Sequence, residues 1–71
     1  MPQESIRVYI NGEPHHLPAR QTVANLLAAL NVPAERVAIE LDKTLIRKRE
    51  WESTLVGDGA QVEIVEFVGG G

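Results

Sequence analysis

The sequence predicts an α+β fold, a mixed sheet of four to five strands packed against one main helix. Three observations carry that expectation. Apolar residues alternate with other residues in Ile6-Val8-Ile10 and Val37-Ile39-Leu41, as strands with one buried face require, and a further strand-like run from Gln61 to Val68 is apolar on both faces towards its end. A helical stripe is found in one stretch, where Val23, Leu26, Leu27 and Leu30 stand at i, i+3, i+4 and i+7. Turn signals separate these stretches: Asn11-Gly12, Asp42-Lys43 and Gly57-Asp58-Gly59.

Each element follows from local chemistry. Ile6, Val8 and Ile10 face one side of a first strand, with Arg7 and Tyr9 on the other. Asn11-Gly12 is a strong hairpin signal, because both central positions of the tight turn need positive φ. The strand returns over Glu13 to Leu17, and Pro14 within it suits a sheet edge, where a missing N–H costs little. Pro18 to Gln21 connects to a helix for which Thr22 is the N-cap. Ala24, Ala28 and Ala29 support helix propensity, Asn31 serves as left-handed terminator, and Pro33 prevents continuation. A third strand covers Val37 to Leu41, turns at Asp42-Lys43, and leads to a brief fourth strand at Leu45-Ile46. Lys48 to Ser53 reads as irregular and polar around Trp51, which lids one end of the core. Thr54-Leu55-Val56 reads as a short helical turn. The last strand places Val62 and Ile64 on one face, Val65 and Phe67 on the other.

Composition narrows the function. A chain of 71 residues is one domain near the lower limit for folding on a hydrophobic core alone. With no cysteine there is no disulfide, thiolate metal site or cysteine nucleophile. The net charge of −3 argues against a nucleic-acid partner. The basic cluster Arg47-Lys48-Arg49 is short, is followed at once by Glu50, and reads as a solvated turn or a partner contact. There is no apolar run long enough to cross a membrane, and MPQES does not resemble a signal peptide, so a cytoplasmic location is expected. His15 and His16 are adjacent and point to opposite faces of a strand, which makes a poor metal site, and no metal is expected. Asp and Glu are spread without a paired arrangement, so no catalytic constellation is expected.

The feature that carries function is the end of the sequence, Phe67-Val68-Gly69-Gly70-Gly71. Consecutive glycines lack Cβ atoms and can thread a channel too narrow for side chains. A Gly-rich end is on its own no more than a frayed terminus. Here a strand runs straight into it, so residues 1–71 are expected to form a single domain with 68–71 as a flexible tail. The α-carboxylate of Gly71 is then the working group. If Ile6, Val8 and Ile10 point inward, Tyr9 points outward, and Val65 and Phe67 likewise face out from the last strand. These three are expected to form an exposed apolar patch beside the tail, a partner surface continued by Val68, Gly69 and Gly70.

The element order, with the first and last strands pairing in parallel at the centre, is that of a β-grasp. The chain further resembles the ThiS family, the sulfur-carrier proteins of thiamine biosynthesis. The resemblance covers nearly the whole chain and rests on the opening strand with Asn11-Gly12, on TVANLLAAL and VAIEL, and above all on GDGAQVEIVEFVGGG. Compact length and the ending Val68-Gly69-Gly70-Gly71 fit this family better than its relative MoaD, the small subunit of molybdopterin synthase. Asp42-Lys43, where the family often has an Asn-containing turn, and Trp51, where a tyrosine is common, are departures remote from the tail.

The resemblance implies a ubiquitin-like β-grasp and a carrier that is itself no enzyme and binds no cofactor. A ThiF-type adenylating enzyme uses ATP to activate the Gly71 carboxylate as an acyl-adenylate. A sulfur donor such as a cysteine desulfurase supplies persulfide sulfur, giving a thiocarboxylate at Gly71. Thiazole synthase, ThiG, accepts that sulfur to build the thiazole ring. The same tail serves two alternatives, a MoaD-like carrier for molybdopterin synthesis and a ubiquitin-like modifier whose Gly71 joins target lysines.

Overall fold

The computed structural model describes residues 4–67. In chain order the elements are β1 (Ser5–Ile10), β2 (Glu13–Pro18), β3 (Gln21–Thr22), α1 (Val23–Ala29), β4 (Val37–Leu41), β5 (Thr44–Ile46), β6 (Leu55–Val56) and β7 (Gln61–Glu66). The main sheet has the order β2-β1-β7-β4-β5, and β3 and β6 form a separate two-stranded ribbon. β1 and β7 are parallel, with Tyr9 beside Gln61 and Ile10 beside Val62, while the other pairings are antiparallel. The architecture is a β-grasp, and the strand that leads to the tail is the middle strand of the sheet.

Local sequence explains most of this. Asn11 and Gly12 take φ of 51° and 86°, the left-handed pair that a two-residue hairpin demands. Asp42 and Lys43 do the same at 50° and 71°, although neither is glycine. Pro14 and Pro18 sit on β2, an edge strand. The hydroxyl of Thr22 accepts from the Asn25 N–H at 3.1 Å and caps α1. At the other end Asn31 has φ 57°, with the Asn31 N–H donating to the Ala28 carbonyl and the Val32 N–H to that of Leu27, a double-bonded helix stop of the Schellman kind.

α1 lies across the inner face of the sheet. Val23, Leu26 and Leu27 are buried against Val8, Ile10, Val37, Ile39 and Val62, and Leu30, Ile6 and Ile64 pack at the margin. Each fully buried aliphatic side chain contributes about 1.5–3 kcal/mol, so the core stands on packing alone. Trp51 is 5% exposed and belongs to this core, its indole N–H donating to the Ile46 carbonyl at 3.0 Å.

Residues 48–56 depart from the sequence reading. Lys48–Glu50 forms a 3-10 turn, and Leu55-Val56 is strand β6 rather than a helical turn. Gln21 opposes Val56 and Thr22 opposes Leu55. The physical reason lies at the start of α1, whose first amides need acceptors. The Val23 N–H donates to the Thr54 carbonyl at 2.9 Å and the Ala24 N–H to the Trp51 carbonyl at 3.0 Å. The turn from Trp51 to Thr54, which leads into β6, offers those carbonyls to the helix.

Candidate functional site

The candidate site is the outgoing end of β7, built by the strands on either side of it. On the β4 side the pairing runs from Leu41 beside Val62 to Val37 beside Glu66, and the Phe67 N–H still donates to the Arg36 carbonyl at 2.7 Å. On the β1 side the backbone ladder ends sooner, because β1 turns away at Asn11. The Tyr9 N–H donates to the Ala60 carbonyl and the Asn11 N–H to the Val62 carbonyl, both at 2.8 Å. From there the Asn11 side chain takes over. Its Oδ1 accepts from the Ile64 N–H at 2.8 Å, and its Nδ2 donates to the Ile64 carbonyl at 3.3 Å. At the other end of the strand Asp42 lends its Oδ1 to the Gln61 N–H at 2.9 Å.

Among the described residues, the outer face of the sheet carries three exposed large apolar side chains, Leu45, Val65 and Phe67, while Leu55 is exposed on β6 of the separate ribbon. Val65 is 54% and Phe67 55% exposed, as their parity against buried Val62 requires. Tyr9 also faces outward, but the parallel register sets it beside Gln61, four positions before Val65. That is roughly 13 Å along the strand, so Tyr9 does not join Val65 and Phe67 in one patch. The reason is the early turn of β1, which leaves Tyr9 near the start of β7 rather than its end. Leu45 lies closer to them: it opposes Glu40 on β4, and Ala38, two positions from Glu40, opposes Val65. Leu45 is 60% exposed, so Leu45, Ala38 and Val65 make a diagonal apolar strip leading toward Phe67. Glu40 and Glu63 oppose each other on this same face and give the strip an acidic margin.

Leu45 was legible as the outward partner of inward Ile46. The Asn11 side-chain bonds were not, because they depend on the parallel register between strands 53 positions apart. Val68, Gly69, Gly70 and Gly71, and with them the expected mobility of the tail, lie outside the described residues.

Other features of the site are modest. A groove of about 540 Å³ runs between the C-terminal end of α1 and β7, lined by Ile10, Leu30, Val37 and Ile64 with Glu13 and Glu66 at its margin. His15 lies 4.0 Å from Glu13, and His16 is on the opposite, exposed face. Arg47, Lys48 and Arg49 are all exposed around the 3-10 turn. Among the described residues no group of three or more His, Cys, Asp or Glu is placed to hold a metal ion. Among them, too, no helix is long and apolar enough to cross a membrane.

The ThiS family model matches residues 8–71, from the first strand through the last glycine. The chain belongs to the ThiS family. The solved structure of a thiamine biosynthesis protein, ThiS, from Geobacter metallireducens is 35% identical, covers 93% of this chain and 100% of that one, and superposes with a TM-score of 0.83. An uncharacterized protein, ycf40, of Porphyra purpurea is 39% identical over the full length of both chains. A thiazole synthase of Magnetococcus marinus is 33% identical over 66 residues, which make up 93% of this chain and 20% of that protein. The chain therefore spans about a fifth of the thiazole synthases it matches. Membership places the chain among the ThiS sulfur carriers of thiamine biosynthesis, and the matched region includes both the outer strip of β7 and the glycine run.

Proposed function

We propose that this ThiS-family chain carries sulfur for thiazole formation on the α-carboxylate of Gly71. One observation supports this above the others. The middle strand of the sheet, held on both sides, delivers Phe67 and then Val68-Gly69-Gly70-Gly71, and the family match runs through that last glycine. A thiazole synthase that contains a segment similar to this chain supports thiazole synthase as the acceptor.

The chemistry follows from the weakness of a carboxylate as an electrophile. An oxygen of the Gly71 carboxylate attacks the α-phosphorus of ATP in a ThiF-type partner, and pyrophosphate leaves. The outer sulfur of a donor persulfide, such as a cysteine desulfurase carries, attacks the acyl-adenylate carbonyl and AMP leaves. A thiol then takes the inner sulfur into a disulfide and frees the thiocarboxylate. This chain has no cysteine, so every thiol in the sequence of steps belongs to a partner. Its own contribution is recognition, through Val65 and Phe67 with Leu45, and delivery, through the three glycines that end the tail. ATP is the partner's ligand, and the carrier itself works without a cofactor in a cytoplasmic setting.

The test is ATP–pyrophosphate exchange with a ThiF-type enzyme, followed by intact mass after a sulfur source is added. The expected product is heavier by the difference between sulfur and oxygen, localised to Gly71. The reading requires a free α-carboxylate there, and the starting mass checks that directly. Deleting Gly71 should abolish exchange, because the carboxylate withdraws by roughly 3.3 Å, when about 1 Å of misplacement can cost 10²-fold. Adenylation followed by lysine adducts instead of a thiocarboxylate would replace the carrier with a modifier.

A further inference from the structure

We infer that Asn11 is a positioning residue for the tail, its side-chain amide acting as one more peptide unit of β1 so that β7 stays held on both faces of its ladder up to Ile64. The inference rests on the carrier reading for its consequence in catalysis, but its structural half stands apart from it.

The need arises from topology. β1 must turn back at Asn11 to form the hairpin, yet β7 continues past that point. Beyond Val62 the backbone groups of β7 that face β1 would meet no strand. The Asn11 N–H is already committed to the Val62 carbonyl, so it cannot also serve Ile64. Ile64 therefore needs both an acceptor for its N–H and a donor for its carbonyl from a single side chain. A carboxamide has both in the geometry of a peptide group. Asn11 supplies them at 2.8 Å and 3.3 Å.

The residue is also constrained by its backbone. At φ 51° the position favours Gly, Asn or Asp. Glycine would keep the turn and lose both side-chain bonds. Aspartate would keep the acceptor and set a second carboxylate oxygen against the Ile64 carbonyl. Asn is the residue that meets both demands. The contrast with Asp42 supports this. That residue has the same left-handed backbone at φ 50°, at the start of β7. There the Asp42 N–H itself donates to the Gln61 carbonyl at 2.8 Å, so the side chain has only one bond to make, to the Gln61 N–H. An acceptor alone suffices, and an acid fills the place. The two hairpin turns thus flank β7, one fixing its start and the other its end.

The outcome is directional. Among the described residues, the strand after Ile64 is held on the β4 side alone, through Glu66 beside Val37 and the Phe67 N–H. Among the described residues the Asn11 amide is the last tether on the β1 side before Phe67, and it sets the line along which the strand reaches Phe67.

The experiment uses Asn11→Gly, which spares the turn, and Asn11→Asp, which spares the acceptor. Amide hydrogen exchange at Ile64 should quicken about tenfold or more in Asn11→Gly, the equivalent of two lost hydrogen bonds, while Val8 and Ile39 keep their protection. NMR order parameters at Val65 to Phe67 should fall in the same variant. In ATP–pyrophosphate exchange the concentration of carrier at half-maximal rate should stay within about twofold, since Val65 and Phe67 are intact, while the maximal rate falls about tenfold in line with the sensitivity of reaction to aim. Asn11→Asp should lie between wild type and Asn11→Gly. Unchanged Ile64 exchange, unchanged order parameters at Val65 to Phe67, or a change confined to the half-maximal concentration would each overturn the inference. Wild-type protein that supports no exchange rejects the carrier reading instead, and the two NMR measurements still decide whether Asn11 orders the strand.

Discussion

Replacing Phe67 by Ala separates a recognition side chain from a core side chain. Phe67 is 55% exposed, at the end of the outer strip. On roughly 200 Å² for a phenylalanine side chain, about 110 Å² are open and about 90 Å² already rest on the body. At about 25 cal/mol per Å², covering the open part is worth about 2.7 kcal/mol, close to 90-fold in affinity. Ordering and desolvation costs on association reduce the expected loss to about 10–50-fold. The part resting on the body is worth at most about 2 kcal/mol, and the alanine retains some of it. The melting temperature should therefore fall by about 4–8 °C, the shift for about 1 kcal/mol in a domain of this size. A fully buried Phe→Ala would cost about 3–5 kcal/mol. The assay is paired: thermal unfolding of F67A, and its titration against a ThiF-type enzyme, the proposed partner, by calorimetry. A fall in Tm of about 15 °C or more would refute the face assignment, and an affinity within about twofold of wild type would remove Phe67 from the interface.

Three further perturbations test the body. Lys43→Gly should stabilise the protein by about 0.5–1 kcal/mol, because Lys43 has φ 71° and a left-handed side-chain-bearing residue is strained; an unchanged or lower denaturation midpoint would show that the turn stores no strain. Thr22→Ala should cost about 1 kcal/mol through loss of the cap on Asn25, and urea titration showing no change would mean that α1 starts elsewhere. Trp51→Phe leaves the Ile46 carbonyl without its indole donor and should cost about 1–3 kcal/mol; a loss below about 0.5 kcal/mol in the same titration would contradict the buried hydrogen bond.

Where a structural demand is met within a few residues, the sequence announces it. Thr22 and Asn31 bracket α1 with chemistry that belongs to helix ends and little else. Asn11-Gly12 specifies a hairpin for the same reason, and alternation in β1, β4 and β7 fixes which side chains face inward. Outward Val65 and Phe67 follow from that parity. The ribbon of β3 and β6 was not legible, since two-residue strands have no period to detect. Leu55-Val56 is a strand through its pairing with Thr22 and Gln21, more than thirty positions away in the chain. The place of Tyr9 failed on register: parity says which face a residue is on, but only the pairing of distant strands says which neighbours it has there. The role of the Asn11 amide was hidden on the same account, behind a turn signal that already explained the residue.

The central place of β7 has a consequence in time. Its partners are β1, made early, and β4, made midway, and the contact between Asn11 and Ile64 spans 53 positions. Such pairings fold slowly, because a long stretch of chain must be closed before they yield any gain. A chain that stops short of β7 lacks Val62 in the core and leaves β1 and β4 with no strand between them. It stays unfolded and presents no docking strip, and is open to proteolysis. Truncation before Gln61 therefore removes the body along with everything after it, whereas truncation after Phe67 leaves every strand of the sheet in place.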